Sequence, residues 1–219
     1  MNYGFHLATG GVLASMRRMD TIANNLANAN TTGFKPDFLV QRERYAARID
    51  GSSPLLDPTA PPREMLERLG GGVRFEPDRI DLTQGPIERT LGKTDFALVG
   101  EGFFALAGAD DAPPRAGAPV DLSRDGALMV DGRGTLRRVS DGRAILSDAG
   151  RPIRVDPTAE FSVDEAGRVM QSGAEIARMH IVRPTDPTAL RKLGGNVLQA
   201  AAVERVPSDA VVVQAGALE

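Results

Sequence analysis

Thr94-Asp95-Phe96-Ala97-Leu98-Val99-Gly100-Glu101-Gly102-Phe103-Phe104-Ala105-Leu106 is the most apolar stretch in the middle of the chain. Short apolar runs on either side of Gly100-Glu101-Gly102, bounded by turn residues, read as a central pair of buried strands. Outward from this stretch the same pattern of short runs and punctuation continues. Gly85-Pro86 precedes it, and Asp125-Gly126, Asp131-Gly132, Asp141-Gly142 and Ala166-Gly167 follow. These are hairpin signals, and their spacing of roughly ten residues is that of an antiparallel meander or barrel. Residues 73–206 are therefore read as a β-rich body, with residues 109–119, acidic and Pro-rich without periodicity, as a surface loop.

Composition agrees with many short strands. The 219 residues are 42% hydrophobic, enough for one body of ordinary size or two small ones. Aromatics make up only 5%, while 24 Gly and 15 Pro enrich the chain in turns. A net charge of −3 gives no pull toward nucleic acid or anionic lipid. The absence of cysteine excludes disulfides, thiolate catalysis and thiolate-held metals together. No stretch approaches the roughly 18 apolar residues of a membrane span, and the N-terminus lacks the basic start and apolar middle of a signal peptide. The chain reads as cytosolic, or as exported by a route that needs no cleaved signal.

N-terminal to the body the periodicity changes. Phe5, Ala8, Val12, Ser15, Met19, Ile22, Leu26 and Ala29 recur at alternating steps of three and four. Phe5, Val12, Met19 and Leu26 carry the bulk, and the other set is mostly small, which suits close packing against another helix. The opposite face carries Arg17, Asp20, Asn24 and Asn28. A helix with one narrow seam is marginal alone in water, so the seam needs a partner: either the chain's own strands or other helices. Thr31-Thr32-Gly33 ends the helix near Asn30, and Pro36 blocks its resumption. Four Asn in seven positions, Asn24, Asn25, Asn28 and Asn30, are poor for helix stability, and an amide can instead fix register at a helix interface. Residues 37–72, with Asp57-Pro58-Thr59-Ala60-Pro61-Pro62 and Gly70-Gly71-Gly72, read as a connector holding at most a short helix at 63–69.

At Asn24-Asn25-Leu26-Ala27-Asn28-Ala29-Asn30-Thr31-Thr32-Gly33-Phe34-Lys35 the chain resembles the flagellar basal-body rod and hook protein family. The resemblance continues through residues 84–90 and 94–104, with Phe96 where Leu is usual, and through Ser123-Arg124-Asp125-Gly126. Leu190-Arg191-Lys192-Leu193-Gly194-Gly195-Asn196 is closer to the proximal-rod member than to the distal one. The resemblance implies a structural, non-enzymatic subunit of the periplasm-spanning rod that polymerises through terminal helices with other rod and hook subunits. It places Phe5, Val12, Met19, Ile22 and Leu26 at subunit interfaces, and Asn24, Asn25, Asn28, Asn30, Thr32, Gly33 and Phe34 in the signature. Residues 207–219 read as the start of a truncated C-terminal segment, in which Gln214-Ala215-Gly216-Ala217-Leu218-Glu219 resemble the opening of the family's C-terminal signature without the long helix expected to follow; Leu218 and Glu219 read as cloning remnants are the alternative.

Chemistry is hard to find in the residues. His6 and His180 belong to no spaced ligand or triad pattern. Asp110-Asp111 and Asp164-Glu165 read as solvated turns, and no calcium loop or phosphate loop is present. No cofactor or metal is expected. Arg133, Arg137, Arg138, Arg143, Arg151 and Arg154, interleaved with Asp131, Asp141 and Asp148, are expected to form a solvated sheet face with cross-strand ion pairs. Two competing functions have less support. A cell-wall hydrolase would need a carboxylate pair in a cleft, and a carbohydrate- or protein-binding module commonly uses exposed aromatics, which are scarce.

Overall fold

A computed structural model describes residues 3–43, 73–76, 78–108, 110–115, 117–207 and 210–219. The expected helix at 63–69 falls outside them. The chain divides into two units, one comprising Met1–Ala29 and Pro36–Asp81, the other Asn30–Lys35 and Leu82–Glu219. The fold class is as the sequence implies: one N-terminal helix and, beyond it, antiparallel strands.

The first unit contains helix α1 (Tyr3–Ala27) and four short strands, β1 (Asp37–Phe38), β2 (Gln41–Glu43), β3 (Val73–Phe75) and β4 (Arg79–Ile80). β1 pairs with β4 and β2 with β3. The helix packs on β3 and β1, and it does so through small and polar residues: Ala14 is buried, while Gly10, Thr21, Asn25 and Asn28 are half-buried. Asn25 takes the place of a strand neighbour. Its Nδ2 donates to the Asp37 carbonyl at 2.9 Å and its Oδ1 accepts from the Asp37 amide at 3.1 Å. About two turns earlier on the same face, Arg17 reaches Asp78 at 3.1 Å.

The second unit holds β5 (Glu88–Arg89), β6 (Phe96–Gly100), β7 (Phe103–Leu106), β8 (Val120–Ser123), β9 (Leu128–Val130), β10 (Leu136–Arg138), β11 (Phe161–Val163), β12 (Arg168–Gln171), β13 (Ala174–Arg178), β14 (Ile181–Pro184), β15 (Arg191–Gly194), β16 (Val197–Ala200), β17 (Val203–Arg205), β18 (Val211–Ala215) and β19 (Ala217–Leu218). The largest sheet runs β15-β16-β8-β7-β14-β17; β11-β12-β13 form another, and β6–β18, β5–β19 and β9–β10 are separate pairs. Two strands do flank Gly100-Glu101-Gly102, but they do not pair with each other: β6 pairs with β18 and β7 with β8 and β14. Two glycines account for the swing. Gly100 has φ +111°, and a Cβ on Gly102 would sit 2.8 Å from Ile181 Cγ2, so a side chain there would push β14 away from the turn.

The sheets do not close into a barrel. The body is closed instead by three-cornered rings of backbone hydrogen bonds. In one, the Leu136 amide donates to the Ile153 carbonyl, Ile153 to Ile145, and Ile145 back to Leu136, each at 3.0 Å. In the other, Ala105 donates to His180, His180 to Leu146 and Leu146 to Ala105. Each ring satisfies its own polar groups, as a buried backbone requires, while Leu136, Ile145 and Ile153 point into the core beside Phe96, Leu98, Phe104 and Leu106.

Three of the turn signals behave as read. Asp131, Asp141 and Asp164 each accept from backbone amides two residues on, and Gly134, Gly142 and Gly167 supply positive φ. Gly85-Pro86 and Asp125-Gly126 are not hairpins. Asp125 is buried, and a Cβ on Gly126 would fall 1.6 Å from the Phe96 carbonyl oxygen, so this glycine permits two backbones to cross. The arginine run is also only partly the expected solvated face. Arg137 spans Asp131 and Asp111, and Arg143 meets Asp121 at 2.6 Å. Arg138 is fully buried, held by Asp141, Ser123 and the Gly195 carbonyl. Residues 110–115, read as solvated loop, contribute Asp111 to this network.

The Arg137 guanidinium, with help from the Thr135 amide, holds the Asp131 carboxyl down at about 2, against an ordinary value of 3.8. A carboxylate whose pKa falls on folding contributes stability that is complete above its unfolded value and is lost as pH drops through the folded one. The difference in melting temperature between the protein and its Asp131→Asn variant should therefore be complete above pH 3.8 and close as pH falls through about 2. A difference independent of pH would show that the ion pair contributes nothing.

Candidate assembly surface

Each residue of α1 advances about 100° around the axis. The face on the strands carries Gly10, Ala14, Arg17, Thr21, Asn25 and Asn28; Phe5, Val12, Met19, Ile22 and Leu26 lie on the other side. They are exposed: Phe5 71%, Val12 59%, Met19 71%, Ile22 56% and Leu26 74%. Leu13 and Met16, which the strict three-and-four spacing passes over, are exposed as well; Met16 widens the apolar arc to about 120°, and Leu13 lies beyond Asp20 at its edge. Hydroxyls do not interrupt it. Ser15 donates to the Gly11 carbonyl at 3.0 Å, so its polar atom is turned back onto the helix. Among the described residues of the first unit, none covers this side of the helix. The helix is inverted relative to an ordinary surface helix: its small and polar side packs, and its apolar side faces outward.

The signature residues divide between two tasks. Asn25 clamps β1, as above, and Asn24 offers its carbonyl to the Asn28 side chain at 2.9 Å, closing the last turn of α1. Asn30 is exposed. The segment Asn30–Lys35 is built into the second unit. Thr32 Oγ1 donates to Asp125 Oδ1 at 3.0 Å, and its carbonyl accepts from Asn196 Nδ2 at 2.6 Å. Gly33, with φ +65°, donates its amide to the Glu219 carbonyl at 2.8 Å. The Lys192 ammonium lies 4.6 Å from the Phe34 ring centre, a cation–π contact.

Beneath this segment lies a buried ionic node. Lys35, Arg124 and Glu219 have side chains only 3%, 2% and 3% exposed. Glu219 Oε1 accepts from the Lys35 ammonium and, at 3.0 Å, from the Gly85 amide. Its Oε2 accepts from Arg124 at 2.9 Å, while Lys35 also donates to the Thr83 carbonyl at 2.8 Å and Arg124 to the Leu98 carbonyl at 3.0 Å. Burial pushes the Arg124 guanidinium down from its ordinary value, and Glu219 is the chief influence opposing it. Glu219 is thus an integral part of the second unit's fold. Residues 30–35, 123–126, 190–196 and 214–219, widely separated in sequence, come together at one place.

Similarity to known proteins extends over the same residues. The family described as flagella basal body rod protein matches residues 7–35, which include most of the exposed arc and the fastened segment. The chain is 31% identical to the flagellar basal-body rod protein FlgF of Caulobacter vibrioides, over 90% of this chain and 72% of that one. It belongs to the flagellar basal-body rod and hook protein family. It is also 27% identical to the flagellar hook-basal body complex protein FlhO of Bacillus subtilis, over 90% of this chain and 74% of that protein. Against the flagellar basal-body rod protein FlgG of Agrobacterium fabrum the identity is 29%, over 93% and 78%.

Among the described residues, the histidine and the acidic side chains around it form ion pairs. His180 Nδ1 lies 3.2 Å from Asp148 Oδ1, and Asp148 also binds Arg205, so the histidine sits in a surface ion-pair cluster with backbone in one of the hydrogen-bonded rings. The His6 side chain lies outside the described residues. Among the described residues no group of three or more acidic or histidine side chains is placed to hold a metal, and no helix is long and apolar enough to cross a membrane.

Proposed function

We propose that the chain is a structural, non-enzymatic subunit of the flagellar basal-body rod and that it polymerises through the outward apolar face of α1. The observation that carries this reading is the inversion of the helix. Covering a half-exposed Met, Ile or Leu contributes on the order of 1–2 kcal/mol, and a chain gains nothing by leaving seven such side chains in water unless another surface covers them. The width of the arc favours more than one partner helix at a time, since a two-stranded coiled coil needs only a narrow seam. The partners in this reading are other rod and hook subunits, in the periplasm-spanning part of the basal body, reached by export without a cleaved signal.

Met19→Asp and Ile22→Asp place charges in the middle of the arc. Both side chains are already exposed, so the body should melt within about 0.5 kcal/mol of the parent, while incorporation into rods and swimming are lost. Swimming cells with fully assembled rods would overturn the reading.

A further inference from the structure

The chain has no cysteine and no tryptophan, so all seven of its sulfur atoms are methionine thioethers. A two-electron oxidant therefore finds few side chains to attack, and access decides among them. Exposure separates the methionines of the described residues sharply. Met19 is 71% exposed, Met16 58% and Met129 41%, whereas Met170 is half-buried and Met179 is 2% exposed. The two most open thioethers stand three positions apart on α1, one turn from each other and on the same side. By helical angle Met19 lies near the middle of the apolar arc and Met16 at one edge.

That placement makes their chemistry matter. A thioether is apolar and adaptable, which suits a surface that a partner helix must cover. A sulfoxide in its place is a strong hydrogen-bond acceptor, and the neighbouring side chains Phe5, Val12, Ile22 and Leu26 have no donor to offer it. Covering a polar group without a partner weakens docking by about tenfold or more for each sulfoxide.

We infer that Met16 and Met19 form a paired oxidation site at which a hydroperoxide turns off the apolar face of a subunit that has not yet assembled. This rests on the reading of that face as the assembly surface. With hydrogen peroxide, a sulfur lone pair attacks one oxygen, and the S–O bond forms as the O–O bond breaks. The proton of the attacked oxygen passes to the departing hydroxide, which leaves as water; sulfur gives up two electrons and the peroxide takes them. Repair consumes two thiols, which become a disulfide while the sulfoxide oxygen leaves as water. The chain has no thiol of its own, so the reductant comes from outside it. Subunits already in a rod are shielded, because their arc is covered.

Hydrogen peroxide added to the chain, followed by fragment-ion mass spectrometry, should place one oxygen on Met16 and on Met19 several-fold faster than on Met170 or Met179. Equal rates at these positions would overturn the inference. In cells lacking methionine sulfoxide reductase and grown in sublethal peroxide, incorporation of the parent chain into isolated basal bodies should fall by about tenfold or more. Met16→Leu combined with Met19→Leu, close in volume and without the thioethers, should keep its incorporation. Equal losses in the parent and the leucine variant would sink the idea, as would full incorporation of chains carrying both sulfoxides. A second variant needs no oxidant. Met16→Gln with Met19→Gln reproduces the polarity of the sulfoxides and should lose incorporation at an unchanged melting temperature; rods built from it would also refute the site. The two readings fail separately: swimming Met19→Asp cells would remove the assembly face itself, whereas a disabled Met19→Asp variant beside a peroxide-insensitive parent would remove only the oxidation site.

Discussion

Glu219→Ala should destabilise the second unit by about 3–5 kcal/mol, the usual cost of removing one partner from a buried charge cluster. Both carboxylate oxygens of Glu219 are engaged, and their partners, Lys35 and Arg124, are almost wholly sealed from water. Without the carboxylate, two cations are left buried near each other. Arg124 keeps the Leu98 and Gly100 carbonyls, but these are neutral acceptors, and its Nε already has no hydrogen-bond partner. Lys35→Met should cost less than Glu219→Ala, because it leaves Arg124 and Glu219 as a neutral pair with the methionine filling much of the vacated space. Urea unfolding of the two variants tests the order. A loss below about 1 kcal/mol for Glu219→Ala, or Lys35→Met as the more damaging change, would show that the node is solvated in solution. A loss of 3–5 kcal/mol is a large share of the roughly 5–15 kcal/mol by which domains are stable.

Much of this architecture is legible in the residues because it is local. The helix declares itself by period, the strands by short apolar runs, and the turns at Asp131, Asp141 and Asp164 by a carboxylate that can accept from amides two residues on. What escapes is whatever depends on chain crossing. Asp125-Gly126 has the composition of a hairpin, yet it is a buried crossing under Phe96, and nothing in a dipeptide distinguishes a glycine needed for positive φ from one needed for close approach. Arg138 has the sequence neighbourhood of a solvated strand but is fully buried because Asp141, Ser123 and Gly195, up to 57 residues away, close over it. The ionic node is the extreme case. Lys35 and Glu219 are separated by 184 residues, so each was visible only as one letter in a motif. The apolar seam of α1, by contrast, is legible because its alternating steps of three and four are local to one helix.

Gly33→Ala should be comparably damaging, by about 2–5 kcal/mol. The first part is conformational: at φ +65° an L side chain costs roughly 1–2 kcal/mol. The second is steric, since the new Cβ would lie 2.3 Å from the Asp125 amide nitrogen and 2.6 Å from the Arg124 carbonyl carbon. Both are backbone atoms, so relief requires the segment to lift, and overpacking of this kind costs about 1–3 kcal/mol. Lifting would break the Gly33–Glu219 bond and take Thr32 from Asp125, whose buried carboxylate would keep only Ser140 and the Ala127 amide. Because Glu219 receives both Gly33 and Lys35, the segment and the end of the sequence hold to the body through the same residue. Gly33→Ala combined with Glu219→Ala should therefore cost less than the sum of the two, by about 0.5–3 kcal/mol, whereas Gly33→Ala combined with Met19→Asp should add simply. An additive first pair would mean that the two segments are fastened independently and that Glu219 does not join them.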